Sequence, residues 1–164
     1  MDMLVSERPA ARETAIHGDG PLILIIEDDP RAEALLRHTL EPSGFRVEAA
    51  RNGEEALVKV KALGPAAITL DVILPGIDGW GVLQVLKSDP ETRDVPVVVL
   101  TIVDDPSTAY ALGASDFFLK PVDRKLLLER LSRYTGQPNG PGSTLTVLVV
   151  DDDANALTLL DESL

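Results

Sequence analysis

From Leu22 onward, short apolar runs alternate with longer segments of helical period. The runs LILII (22–26), AAITL (66–70) and PVVVL (96–100) are apolar at nearly every position rather than at alternate ones, as strands are when both sheet faces are covered. RAEALLRHTL (31–40), GEEALVKVKAL (53–63), WGVLQVLKS (80–88) and VDRKLLLERLSRY (122–134) repeat their apolar residues at helical spacing. FRVEAA (45–50) and SDFFL (115–119) complete five strands, and PSTAYAL (106–112) supplies one more short helical segment. In the second helix Ala56, Leu57, Val60 and Leu63 are predicted to share the buried face, with Glu54, Glu55, Lys59 and Lys61 largely outside it. Gly44 and the pair Gly64–Pro65 mark helix ends. The regular alternation predicts an α/β fold, a doubly wound five-stranded parallel sheet with helices on both faces.

This pattern divides the chain. Residues 1–20 are polar, carry both charge signs and show no period, which predicts a disordered leader or linker. Residues 21–136 form the predicted domain, and 137–144 a Gly/Pro/Ser-rich linker. In 145–164 the apolar-to-acidic motif returns: TVLVVDDDANALTLL matches LILIIEDDPRAEALL at an offset of 124 residues. A lone strand and helix bury too little apolar surface to fold alone.

Composition narrows the function. Apolar residues make up 45% of the chain, enough for a core, and the net charge is −12. That charge argues against a nucleic-acid surface, which needs clustered Lys and Arg. With no cysteine, disulfides, thiolate zinc sites and a Cys nucleophile are excluded. No apolar run reaches the length of a signal peptide core or a membrane span, so a cytoplasmic location without membrane contact is expected.

Candidate chemistry sits where strands end. Ligands of an open parallel sheet bind beyond the carboxyl ends of its strands. Glu27, Asp28 and Asp29 follow the first strand, Asp71 the third, Thr101 the fourth and Lys120 the fifth. Carboxylates gathered at one edge repel one another and call for a compensating cation, met by a hard divalent ion with oxygen ligands together with the Lys120 ammonium. Each residue also has a plain structural role open to it. Asp29 before Pro30 suits a helix N-cap, Asp71 precedes the turn residues Pro75, Gly76 and Gly79, Thr101 can cap the next segment, and Lys120 can lie on the surface. Their joint placement at four strand ends is what these separate roles do not supply.

In these residues the chain from about Leu22 to Tyr134 resembles a response-regulator receiver domain, whose pattern is an acidic pair, a phosphoacceptor Asp, a Thr or Ser, and Lys-Pro. The resemblance implies a flavodoxin-like sheet of order 2-1-3-4-5. It implies that Asp71 in LDVILPGIDG accepts a phosphoryl group from a histidine kinase or histidine phosphotransfer domain, with Thr101 and Lys120 contacting that group. It further implies Mg²⁺ held by Asp28, Asp71 and the carbonyl of Ile73, with Glu27 acting through water. Phe117 matches the family's switch aromatic, and the Lys120–Pro121 bond is expected to be cis. By the same resemblance, residues 145–164 are the truncated start of a second receiver.

The match has departures. Nineteen positions separate Thr101 from Lys120, so roughly one helical turn is missing around DDPSTAYALGA. In this the chain is similar to receivers attached to hybrid histidine kinases, which makes kinase or receiver domains of a parent chain expected partners. Ile102 is bulky where the family often has a small residue. Neither Ile73 nor Val103 can orient a water, so slow loss of the phosphoryl group is expected. Two rival readings are weaker. A phosphotransferase of haloacid-dehalogenase type wants a second Asp two positions after the first, where Ile73 stands; a non-phosphorylated pseudo-receiver would not need Asp71, Thr101 and Lys120 together.

Overall fold

The computed structural model describes residues 19–137. The five strands are β1 (Leu22–Ile26), β2 (Arg46–Ala50), β3 (Ala67–Leu70), β4 (Val97–Thr101) and β5 (Asp116–Leu119). Five helices follow them in turn: α1 (Pro30–Leu40), α2 (Gly53–Leu63), α3 (Gly79–Ser88), α4 (Pro106–Ala111) and α5 (Arg124–Thr135). All strand pairs are parallel, and the order is β2-β1-β3-β4-β5, as the resemblance implies. A 3₁₀ turn over Glu41–Ser43, which the apolar pattern does not announce, closes α1.

The fully apolar strands take the central places. Every residue of β1, β3 and β4 is buried, because side chains leave a strand alternately to two faces and both are covered. Leu24, Ile26, Ile68, Leu70, Val97 and Val99 pack with Ala56 and Val60 of α2, Val82, Leu83 and Leu86 of α3, and Ala109 of α4. Ile23, Ile25, Ala67, Val98 and Leu100 pack on the other face with Leu40 of α1 and Leu127 and Leu131 of α5. The two layers form the predicted doubly wound sandwich.

Local sequence starts and stops the helices. Each begins on an Asp or Asn whose side chain accepts a backbone N–H of the first turn: Asp29 from Arg31, Asn52 from Glu55, Asp78 from Gly81, Asp105 from Thr108 and Asp123 from Leu126. Asp29 thus fills the capping role its sequence suggested, with Pro30 at the first helical position. Gly64 ends α2 at φ 55°, a left-handed conformation that favours glycine. One sequence expectation fails here: Leu63 is 42% exposed. It occupies the last helical residue of α2, past the point where the helix covers the sheet.

Candidate functional site

The strand ladder carries the site residues past the strand ends. Glu27 N–H donates to Ala50 O, Asp71 N–H to Ile26 O, and Lys120 N–H to Thr101 O, each at 2.9–3.0 Å. With β1 and β3 adjacent and β4 and β5 following, all four candidate positions converge on one edge of the sheet. The connection from β3 to α3 folds back tightly: Gly79 N–H donates to Val72 O at 2.8 Å, and a Cβ on Gly79 would lie 2.2 Å from Asp71 O. Only glycine lets α3 start this close beneath the Asp71 backbone.

Lys120 joins the carboxylates. Its Nζ lies 2.7 Å from Glu27 Oε2 and 2.7 Å from Asp71 Oδ2. Asp71 Oδ1 accepts from Ile73 N–H at 3.0 Å, and Glu27 Oε1 from Asp29 N–H at 3.1 Å. Glu27 and Asp71 are buried, while Asp28 is exposed beside them. Burial raises the Glu27 carboxyl above its ordinary range, and the Lys120 hydrogen bond and Asp29 N–H only partly offset that. For Lys120 burial acts downward, but the hydrogen bonds to Asp71 and Glu27 outweigh it and the net direction is up. Lys120 is therefore a retained cation in a partly desolvated nest of carboxylates.

The acidic group fits a hard cation. Glu27, Asp28 and Asp71 each offer an oxygen within 4.8 Å of one another, and carboxylate oxygens are the donors that Mg²⁺ takes. Glu27 and Asp71 each have a protein donor on both oxygens, while the exposed Asp28 carboxylate is the most open of the three to a cation.

Thr101 is fully buried as the last residue of β4, and its Oγ1 accepts from Val103 N–H at 3.2 Å. It does not cap α4, because Asp105 does. Phe117 is half-buried against the α2–α4 layer while its neighbour Phe118 packs into the α1–α5 layer, one aromatic to each face. Ile73 and Ile102 are exposed, at 50% and 66%, and Val103 is half-buried. The Lys120–Pro121 peptide is cis. Sequence reading passed over Asp116, a buried carboxylate at the start of β5. The available signal was an acid opening the otherwise apolar run SDFFL.

Residues 23–132 match the response regulator receiver domain family, and the chain belongs to that family. Among curated relatives, the DNA-binding dual master transcriptional regulator RpaA of Synechocystis sp. is 38% identical over 114 residues, covering 68% of this chain and 47% of the regulator. The chain therefore spans about half of that relative's length. The signal receiver domain of a signal transduction histidine kinase from Syntrophus aciditrophicus superposes with a TM-score of 0.67 at 35% identity, over 78% of this chain and all of that one. A receiver domain of a sensor histidine kinase from Pseudomonas aeruginosa, solved with a magnesium ion coordinated in its active site cleft, superposes at 0.66 with 28% identity over 71% of this chain and 98% of its own.

Proposed function

We propose that this chain is a phosphoacceptor module in which Asp71 takes a phosphoryl group from a phosphohistidine of a histidine kinase or phosphotransfer domain. The observation that carries the reading is the Lys120 ammonium at 2.7 Å from both Glu27 and Asp71. A bare carboxylate repels the oxygens of an incoming phosphoryl group, and positioned charge is what phosphoryl transfer asks of a protein. Mg²⁺, held by Asp28, Asp71 and the Ile73 carbonyl with Glu27 reaching it through water, would supply the remaining neutralisation. An Asp71 oxygen forms the new bond to phosphorus as the P–N bond to the donor imidazole breaks, and that nitrogen keeps the electron pair. Lys120 turns from the Asp71 carboxylate to the transferred group, still anchored by Glu27. The Thr101 hydroxyl exchanges its bond to Val103 N–H for one to a phosphoryl oxygen, drawing the β4–α4 connection inward.

A place beside a histidine kinase in a longer cytoplasmic chain is part of this reading. It is supported by the likeness to the Syntrophus kinase receiver and by the six-residue α4. Among the described residues no helix is long and apolar enough to cross a membrane.

The test uses a small phosphodonor such as phosphoramidate, with intact-mass detection. Wild type should gain one phosphoryl group with Mg²⁺ and far less after chelation, and Asp71→Asn should gain none at that rate. Labelling of Asp71→Asn at the wild-type rate and stoichiometry would overturn the assignment.

A further inference from the structure

Away from the acidic site, three donors converge on the buried carboxylate of Asp116, with a fourth polar group beside them. Oδ1 accepts from Phe117 N–H at 3.0 Å and faces Tyr110 Oη of α4 at 3.4 Å. Oδ2 faces Tyr134 Oη of α5 at 3.3 Å and Arg130 Nη1 of α5 at 3.5 Å. The single hydroxyl hydrogen of Tyr134 goes to Ser115 O at 2.8 Å, so this tyrosine lies beside Oδ2 and does not donate to it. One carboxylate thus links α4, β5 and α5. We propose that Asp116 and Tyr110 form a polar clasp that holds α4 down, and that loading of the acidic site has to open it.

The apolar hold on α4 is small. The helix has six residues and only Ala109 fully buried, with Leu112 packing alongside just after it. Elements with few buried contacts open at low free energy, so a single polar tie is a large share of what secures this one. Tyr110 Oη to Asp116 is longer than the 2.7–2.8 Å usual for O–H···O, which makes it the first bond to give. Arg130 does not reinforce it fully, since its Nε is buried without a partner. Burial and the Asp116 charge raise both tyrosine phenols, with Arg130 opposing, so both hydroxyls remain donors at neutral pH.

Covalent connection couples the clasp to the site twice. Thr101 ends β4, and only Ile102–Asp105 separate it from Pro106 of α4. Asp116 begins β5, and Lys120 follows that strand's end directly. An inward pull on Thr101 therefore draws the start of α4 away from β5 against the Tyr110–Asp116 bond. The coupling to loading rests on the reading of Asp71 as phosphoacceptor; the clasp itself does not.

The experiment compares wild type with Tyr110→Phe, which removes one hydroxyl from a half-exposed side chain and leaves the core intact. In protein free of metal and phosphodonor, hydrogen exchange of the α4 amides should lose about fivefold protection, the size of one modest hydrogen bond. With Mg²⁺ and beryllofluoride, an acyl-phosphate mimic, Tyr110→Phe should bind about fivefold more tightly even though its unliganded thermal midpoint falls by about 3 °C, because less has to be broken on loading. Unchanged α4 exchange overturns the clasp. Loosened α4 with wild-type beryllofluoride affinity overturns its coupling to the site. If wild type binds no beryllofluoride at all, the phosphoacceptor reading falls while the exchange comparison still decides the clasp.

Discussion

Thr69 shows how the core tolerates a polar group next to the site. It is 1% exposed on β3, in register with Ile25 of β1 and Val98 of β4, two positions before Asp71. Its Oγ1 finds no hydrogen-bond partner, and a buried unmatched hydroxyl loses its water without compensation. Valine has nearly the same shape and no hydroxyl. Thr69→Val should therefore gain about 1 kcal/mol of stability and raise the thermal midpoint by about 3 °C, read by calorimetry. A loss of stability would mean that the hydroxyl is matched in solution. Glu27 illustrates the opposite arrangement, a buried carboxylate with a donor on each oxygen, one of them the Lys120 ammonium.

Loops and strand edges carry the specialisation at the scale of elements. The β3–α3 and β4–α4 connections present Ile73 and Val103 two positions beyond Asp71 and Thr101. An acyl phosphate is lost to an in-line water, and neither side chain can hold one. Ile73→Asn and Val103→Glu should each shorten the phosphoryl half-life at fixed Mg²⁺ and pH by about threefold or more, well below what a fully positioned acid or base contributes. If neither does, these residues only pack. The β2 edge is equally specific. Arg46 N–H donates to Pro21 O and Ala50 O accepts from Glu27 N–H, the residues flanking β1, so Val47 and Ala49 turn their backbone groups outward. Arg37 of α1 donates to Val47 O at 3.1 Å and Lys59 of α2 to Ala49 O at 2.5 Å. Cationic side chains over an edge block strand addition there.

For the molecule as a whole, both ends of the described body meet at one corner. Gln137 Nε2 donates to Ser43 O and Arg46 Nε to Gly20 O, at the start of β2 and away from the acidic edge. The expected leader 1–20, apart from its last two residues, nearly all of the linker and the expected second receiver 145–164 lie outside the described residues. Because β2 is guarded, deleting residues 140–164 should leave the thermal midpoint and the labelling of Asp71 unchanged while reducing any self-association seen by light scattering. A midpoint drop of several degrees would show instead that the segment packs on the domain.

Sequence by itself determined the strand and helix order, the double burial of β1, β3 and β4, and the set Glu27, Asp28, Asp71, Thr101 and Lys120 as first polar groups at strand ends. These are legible because each depends on local periodicity or on the step from an apolar run to a charge. Leu63 was misplaced because a helical face shows which residues align, not where the neighbouring layer stops. Only the tertiary structure decided that Lys120 reaches Glu27 across 93 positions and Asp71 across 49. It alone placed Tyr110, Arg130 and Tyr134 around Asp116. Such contacts are fixed by the register and crossing of separate elements, which no local pattern along the chain encodes.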